Sequence, residues 1–203
     1  MNHDFEAAPL PAIDLISNAE SANPDRFMRE ALLAGAQVYR CTHAQIRATL
    51  LKALERESDD AAVLFESREL MQFTGWEVGT QKMSGCWMRE LRQGTAVTTR
   101  DFEVSTVAVG VTGVDFGLCD TGTLVLRTSE RRGRLLSLLP PVHVALLERE
   151  RLLPDLAAFL AQPLSNASAI TFITGPSKTA DIEQKLTTGV HGPGRIHILL
   201  VEN

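Results

Sequence analysis

The stretch VAVGVTGVDFGLCDTGTLVL, residues Val107 to Leu126, joins two apolar runs through a polar segment. The first run is rich in valine, which is typical of a buried β-strand, and Thr123 to Leu126 has the same character. The polar segment between them ends in Asp120, Thr121 and Gly122. Small and polar residues of this kind favour a turn, so the sequence predicts a strand, a turn and a second strand here.

Strands and helices alternate along the rest of the chain. Asn23 caps a helix that begins with a proline and ends at Gly35. Thr42 to Gln45 has the capping-box pattern and precedes a helix that continues to about Glu55. Further strands are predicted at Gln37–Arg40, Ala62–Phe65 and Val142–Leu147, and further helices near Arg68–Phe73 and from Pro154 onward. This rhythm predicts parallel strand pairing in an α/β fold. Residues 74–100 show no clean period and could form a mobile flap, a partner surface or an ordinary loop.

Near the carboxyl end lie two polar loops that contain glycine, GPSKTADIE (Gly175 to Glu183) and GVHGPGR (Gly189 to Arg195). Apolar runs flank them at Ala169 to Thr174 and at Ile196 to Val201, and both runs predict strands. The two loops are therefore expected at strand ends, where α/β proteins commonly carry their functional residues.

The first loop has the residue types of an anion site. Gly175 breaks the preceding strand, and the sequence predicts a helix from Ala180 to Leu186. Backbone N–H groups at a helix start lack partners and the helix dipole is positive there, so Ser177, Lys178 and Thr179 could bind a carboxylate or a phosphate. The alternative is that the two hydroxyl residues only cap the helix and the glycine only turns the chain.

The composition excludes some classes of protein. The chain has 203 residues, a net charge of −5 and a sequence pI near 5.6, which argues against binding to nucleic acid or anionic lipid. No apolar run is long enough to span a membrane, and the acidic start lacks the basic region of a secretory signal. We therefore expect a cytoplasmic protein with an N-terminal tail at residues 1–22 and one α/β domain at 23–203.

Cysteine and histidine spacing gives no pattern of a metal or iron–sulfur site. Cys41, Cys86 and Cys119 are separated by 45 and 33 residues, whereas a usual iron–sulfur cluster takes four thiolates. No HExxH motif, Walker A loop or GxGxxG fingerprint occurs. These patterns do not identify a cofactor. Because this chain has no self-contained iron–sulfur site by this spacing, we assign any electron transfer to partner proteins.

The stretch from Arg127 to Arg134 holds four arginines and follows the predicted strand at Thr123 to Leu126. One interpretation is a solvated turn. The other is a surface for an anionic substrate or an acidic partner, because the guanidinium group binds carboxylates well.

The stretch Val107 to Leu126, the segment LLSLLPPVH at Leu135 to His143 and the two C-terminal loops together resemble the LUD-domain family. The resemblance runs from about Asn23 to the C-terminus and is strongest after Val104. Family members usually carry an acidic residue before Thr-Gly-Thr, often glutamate, and Asp120 stands at that position here.

The resemblance implies a fold like that of sugar-phosphate isomerases, coenzyme A transferases and formyltetrahydrofolate cyclo-ligase, which is an open, mainly parallel sheet flanked by helices. It also implies a subunit of a multi-protein system that oxidises L-lactate to pyruvate, a dehydrogenase complex of quinone or iron–sulfur type with separate iron–sulfur proteins as partners. In this interpretation Asp120, Thr121 and Gly122 form one wall of a small-carboxylate site, and Gly175 to Thr179 form the other.

Two alternatives stay open. The chain could be a free-standing transferase or isomerase in which Asp120 acts as nucleophile or base toward an acyl or sugar-phosphate substrate. It could also be a scaffold without a ligand. The fold by itself does not decide among these functions.

His191 is the candidate general acid–base. It lies between Gly189 and Gly192, which allow the backbone to approach a ligand closely, and an ordinary histidine pKa of about 6.5 suits proton transfer near neutrality. The alternative is a loop histidine whose ring bonds a backbone carbonyl.

Asp181 lies in the first turn of the predicted helix, where the helix dipole alone explains a carboxylate. Only the resemblance makes Asp181 a candidate site residue, which would orient Ser177, Lys178 or the facing loop.

Overall fold

The computed structural model describes residues 22–55, 62–74, 81–83, 86–90, 107–128, 133–163, 167–180, 186–189 and 191–203. The helices are α1 Pro24–Ala34, α2 Ile46–Leu54, α3 Arg68–Phe73, α4 Leu135–Leu138 and α5 Leu156–Leu160. The strands up to the middle of the chain are β1 Gln37–Thr42, β2 Ala62–Phe65, β3 Gln81–Met83, β4 Cys86–Glu90, β5 Val107–Gly113, β6 Phe116–Leu118 and β7 Thr123–Thr128. The later strands are β8 Val142–Glu148, β9 Leu152–Leu153, β10 Ala169–Ile173, β11 Lys178–Ala180, β12 Leu186–Thr188 and β13 Arg195–Glu202.

The main sheet has seven strands in the order β1-β13-β8-β5-β2-β4-β3. Neighbouring strands are parallel except β3 and β4. Side chains alternate between the two faces, so Val144 joins the apolar cluster that contains α2, whereas Ala145 joins the cluster that contains α1. The predicted α/β fold, an open and mainly parallel sheet with flanking helices, is confirmed.

A second sheet has four strands in the order β10-β7-β6-β9. Strand β7 pairs antiparallel with both β6 and β10, and β9 pairs parallel with β6. On β7, Leu124 and Leu126 belong to the cluster around α1, whereas Val125 belongs to a cluster on the opposite face with Phe159 of α5. The second sheet therefore packs one face toward α1 and holds α5 on the other.

Helix α1 follows from its local sequence. The Asn23 side chain accepts hydrogen bonds from the backbone N–H groups of Asp25 at 2.9 Å and Arg26 at 3.2 Å. Gly35 ends the helix with φ of 100°, in the left-handed region that glycine adopts at low cost. The predicted start and end of this helix are both confirmed.

The cap at Asn23 gives a testable effect on stability. We expect Asn23→Ala to lower the free energy of unfolding by about 1 kcal/mol, because two backbone donors of the first turn lose their acceptor. Urea denaturation measures this change. Asn23→Ser serves as the control and should stay close to the original stability, since serine caps helices about as well. Equal stabilities of the alanine and serine variants would contradict the cap.

The helix predicted from Ala180 to Leu186 is wrong. Ala180 ends strand β11 and Leu186 begins strand β12, and the two strands pair antiparallel. Both strands contain threonine, whose branched side chain favours strands over helices. Residues 181–185, which include the candidate Asp181, lie outside the described residues. Ser177 to Thr179 therefore lead into strand β11 and not into a helix start, so no helix dipole supports an anion site at these residues.

Two smaller differences concern element boundaries. The helix predicted from Pro154 begins at Leu156, because the side chain of Asp155 caps it by accepting from the N–H of Ala158 at 2.8 Å. Within the stretch 74–100, where the sequence shows no period, the structure contains the strands β3 and β4, and residues 75–80, 84–85 and 91–100 lie outside the described residues.

Candidate functional site

A chain of threonine hydroxyls joins the Asp120 segment to the first C-terminal loop. The Oγ1 atoms of Thr121 and Thr123 are 2.8 Å apart, and Oγ1 of Thr123 is 2.7 Å from Oγ1 of Thr174. Thr123 is buried at the start of β7, and Thr174 immediately follows β10. Antiparallel pairing of β7 with β10 brings these two strand ends together, although they are 51 residues apart in sequence.

Backbone hydrogen bonds join the two C-terminal loops to each other. Ser177 donates its N–H to the carbonyl of Pro193 at 2.9 Å, and its own carbonyl accepts from the N–H of Gly189 at 3.0 Å. A Cβ atom on Gly192 would lie 3.4 Å from the Cβ of Ser177, so the loops are in van der Waals contact. All three predicted segments are therefore contiguous. We call the residues Asp120, Thr121, Ser177, His191 and Gly192 of these segments the loop ridge.

Helix α1 lies directly against two glycines of these segments. Gly122 has φ of 65°, and a Cβ there would come within 2.2 Å of the backbone N of Ala31. Gly175 has φ of 74°, and a Cβ there would come within 2.3 Å of the carbonyl oxygen of Ala34. Because the two contact points are three residues apart on the helix, they are separated by about 4.5 Å along its axis. The Cβ side of both glycines is filled by α1, and any contact of theirs with a ligand stays a prediction.

Lys178 is turned toward the carboxyl end of α1. Its Nζ donates to the carbonyl oxygen of Ala34 at 3.3 Å. The carboxyl end of a helix carries partial negative charge, which a lysine stabilises. The first loop thus meets the negative end of a helix, so an anion bound there would depend on side chains such as Lys178 rather than on a helix dipole.

Asp120 and Thr121 form the end of the ridge nearest to the second sheet. The Thr121 hydroxyl donates to Oδ1 of Asp120 at 3.2 Å, and the N–H of Asp120 donates to the carbonyl of Pro154 at 3.1 Å. Asp120 is half-buried and Thr121 is exposed. The neighbouring Cys119 is buried, and desolvation by burial raises the pKa of its thiol. Cys119 is therefore a small core residue rather than a reactive thiolate.

The other candidates are placed less completely. His191 is exposed in the second loop, and its ring has no hydrogen-bond partner among the described residues. The backbone of Thr179 lies in β11, paired with Thr187. Asp181 lies outside the described residues, as stated above. The structure brings the two loops and the Asp120 segment together, and ligand binding by these residues stays a prediction.

The sequence analysis missed a buried polar pair in the main sheet. Nε2 of His143 on β8 is 2.8 Å from Oγ1 of Thr112 on β5, and both residues are buried. Within the described part of the chain, Nδ1 of His143 has no hydrogen-bond partner. Desolvation by burial lowers the pKa of His143 from 6.5 to about 4, so the ring is neutral at physiological pH. The sequence feature that could have indicated this pair is the presence of Thr112 and His143 in two mainly apolar strands.

Two carboxylates lie where β2 and β5 end. Oε2 of Glu66 accepts from the N–H of Gly113 at 3.0 Å. Asp115 is buried and accepts from both the N–H of Arg127 at 2.8 Å and its Nε at 3.2 Å. After β2 the chain continues toward the β3 edge of the main sheet, and after β5 it continues toward the β1 edge. The boundary between β2 and β5 is therefore a topological switch point, where α/β proteins often bind ligands.

Among the residues that the structure describes, no group of three or more His, Cys, Asp or Glu side chains is placed to hold a metal ion. None of the helices in the described ranges is long and apolar enough to cross a membrane.

Comparison with protein families matches residues 25–201 to the LUD domain. A relative from Halalkalibacterium halodurans, named Lactate utilization protein C, is 29% identical over 175 residues, which cover 80% of this chain and 76% of that protein. A protein of the same name from an Exiguobacterium species is 28% identical over 186 residues, covering 88% and 77%. The one from Anoxybacillus flavithermus is 39% identical over 95 residues, which cover 46% of this chain and 43% of that protein.

A crystal structure of a DUF162 family protein from Deinococcus radiodurans is similar in fold. The TM-score is 0.59 at 19% sequence identity, and the match covers 88% of this chain and 95% of the other. At this identity the comparison supports the α/β fold alone.

Proposed function

The chain belongs to the LUD domain family, and on that premise we propose that it is a component of a lactate utilization system in which the loop ridge holds a small carboxylate. The observation that carries the proposal is the bonded contact between the three segments, through Thr123 and Thr174 at 2.7 Å and through Ser177 and Pro193 at 2.9 Å. We infer that these contacts bring the hydroxyls of Thr121 and Ser177 and the ring of His191 onto one surface.

The residues of the ridge have the chemistry that a 2-hydroxy acid requires. The hydroxyl of Ser177 is a donor for a carboxylate, that of Thr121 can donate to it in place of Asp120, and the Lys178 ammonium supplies positive charge nearby. The exposed ring of His191 could accept the proton of the substrate hydroxyl. Asp120 forms the facing wall, and Gly122, Gly175, Thr179, Asp181 and Gly192 remain proposed binding residues.

Oxidation of L-lactate to pyruvate releases two electrons and two protons. We assign the hydroxyl proton to His191, the two electrons of the C2–H bond to separate iron–sulfur proteins, which are the proposed partners, and the proton left from that bond to water. The other proposed role, organising these partners, requires only that the chain bind them.

Removal of the Ser177 hydroxyl tests the carboxylate site. We expect Ser177→Ala to weaken L-lactate binding by the purified full chain about 10- to 100-fold, because one hydrogen bond to a charged group is lost. Titration calorimetry measures the affinity. Thr49→Ala is the matched control, since Thr49 lies on α2, on the opposite face of the main sheet from α1, and its side chain bonds the Gln45 carbonyl and Cys41.

Native purification from the protein's own cells tests the system itself. Co-purification of iron–sulfur proteins with lactate-dependent dye reduction supports the proposal, and His191→Ala should then abolish the dye reduction without loss of the partners. If the Ser177→Ala and His191→Ala variants still supported lactate oxidation, the carboxylate site would be excluded and only the scaffold role would remain. Turnover of coenzyme A thioesters or a phosphosugar by the purified chain, abolished in Asp120→Asn, would establish the free-standing enzyme instead.

A further inference from the structure

Three aromatic rings form a row on the outer face of the second sheet. Phe116 on β6 and Phe172 on β10 both pair with Val125 on β7, so all three side chains point to the same face. Phe159 of α5 is buried between the two rings, with ring centroids 5.7 Å from Phe116 and 5.6 Å from Phe172. Both contacts are edge-to-face, which is a favourable geometry for aromatic pairs.

This row is only partly covered. Helix α5 has five residues, and it leaves Phe172 46% exposed. Leu156 and Leu160, on the same helix as Phe159, are 46% and 51% exposed. We call Phe116, Phe159, Phe172, Leu156 and Leu160 the aromatic face. Exposed apolar side chains that cluster in this way are typical of interaction surfaces, whereas single exposed ones need no explanation.

Arg127 stands at one end of the aromatic face. Its Cζ lies 5.4 Å from the centroid of the Phe116 ring, and its Nε donates to Oδ1 of Asp115 at 3.2 Å. The same carboxylate also accepts from the backbone N–H of Arg127, so the arginine is held at two points by a buried side chain. Within the described residues, its terminal nitrogens Nη1 and Nη2 have no hydrogen-bond partner. About a third of the side chain is exposed.

A guanidinium held in this way is prepared to bind a carboxylate. Nη1 and Nη2 form the end of the planar fork, which matches the two oxygens of an aspartate or glutamate. Because Asp115 and the Phe116 ring already fix the side chain, little conformational freedom remains to be lost on binding. Protein interfaces are enriched in aromatic residues and arginine, which is the composition found here.

We propose that the aromatic face and Arg127 form a docking surface for a different protein. The partner segment places apolar side chains against Phe172, Leu156 and Leu160 and an aspartate or glutamate against the end of Arg127. A protein segment, rather than a small molecule, is the occupant that covers exposed side chains on both a strand and a helix. The aromatic face shares no residue with the loop ridge, although Thr123, which bonds Thr121 and Thr174, points to the same face of β7 as Val125.

Site-specific crosslinking in the protein's own cells tests this surface. Benzoylphenylalanine replaces Phe172, and the control carries it at Leu33, which is 73% exposed on α1. We expect position 172 alone to capture a different protein, through a peptide that contains aspartate or glutamate beside apolar residues. Phe172→Ser and Arg127→Glu, in otherwise unmodified chains, should each weaken binding to that purified protein about 30-fold or more.

Charge reversal on the partner completes the test. Changing the captured peptide's acidic residue to lysine should restore at least tenfold of the binding lost in Arg127→Glu. Arg127→Lys and Phe172→Ser keep the test valid if Arg127→Glu fails to fold, because both keep the charge near Asp115 unchanged. Capture of a second copy of this chain, capture of nothing, or equal binding by all variants would overturn the proposal. The proposal would also be overturned if Arg127→Lys changed the binding of L-lactate or phosphate but left the binding of the captured protein unchanged. Lactate affinity at Ser177 is measured separately, so either proposal can fail without the other.

Discussion

Replacing Gly122 with alanine is expected to lower the free energy of unfolding by about 3 kcal/mol or more. The new Cβ would lie 2.2 Å from the backbone N of Ala31 and 2.5 Å from its Cα, which is closer than such atoms approach in proteins. Helix backbone cannot rotate away as a side chain can, so α1 would have to shift as a unit. The left-handed backbone at φ of 65° adds its own cost of about 1 kcal/mol for a residue with a Cβ.

Urea denaturation of three variants separates these contributions. Gly133→Ala is the control, because no described atom lies within 4 Å of its Cβ position, and its stability should change by less than about 0.5 kcal/mol. Gly175→Ala should resemble Gly122→Ala, since its Cβ would lie 2.3 Å from the carbonyl oxygen of Ala34. If Gly122→Ala were as stable as the original chain, α1 would not pack as described and the loop ridge would lose its support.

Gly122 and Gly175 show which structural features the sequence could predict and which it could not. A glycine permits close backbone approach, but the sequence does not say which group approaches, and here α1 occupies the Cβ side of both. The ends of α1 were readable because Asn23 and Gly35 act on their immediate neighbours. The helix predicted from Ala180 failed because hydroxyl residues cap helices and also form strands, and the pairing of β11 with β12 decided between them.

The contacts of the site depend on pairings that no local pattern contains. Thr123 reaches Thr174 only because β7 pairs with β10 in a second sheet, whereas the sequence predicts a single sheet. Their expected proximity follows from the family resemblance, because the sequence contains no local pattern that gives the distance between them. His143 was quoted within LLSLLPPVH but given no chemistry, because its partner Thr112 lies on another strand 31 residues away.

Acid is expected to destabilise the protein through His143. Its pKa is lowered from 6.5 to about 4 in the folded state, because burial disfavours the charged ring. Between these values the unfolded chain binds a proton that the folded chain does not, so the free energy of unfolding rises with pH. The contribution is fully present above pH 6.5 and is lost as the pH falls toward 4, by about 3 kcal/mol in total.

A variant that cannot titrate isolates this effect from the carboxylates that titrate in the same range. His143→Gln retains a polar group for Thr112 but carries no titrating ring, so urea unfolding between pH 7 and 4 should show a smaller loss of stability, by about 3 kcal/mol. His43→Gln is the control, because His43 is exposed beside Phe73, and it should follow the original curve. Parallel curves for the His143 variant and the original chain would mean that the buried ring is charged or solvated in the folded protein. Neutrality of the ring would then no longer explain how His143, whose Nδ1 has no partner among the described residues, is tolerated inside the main sheet.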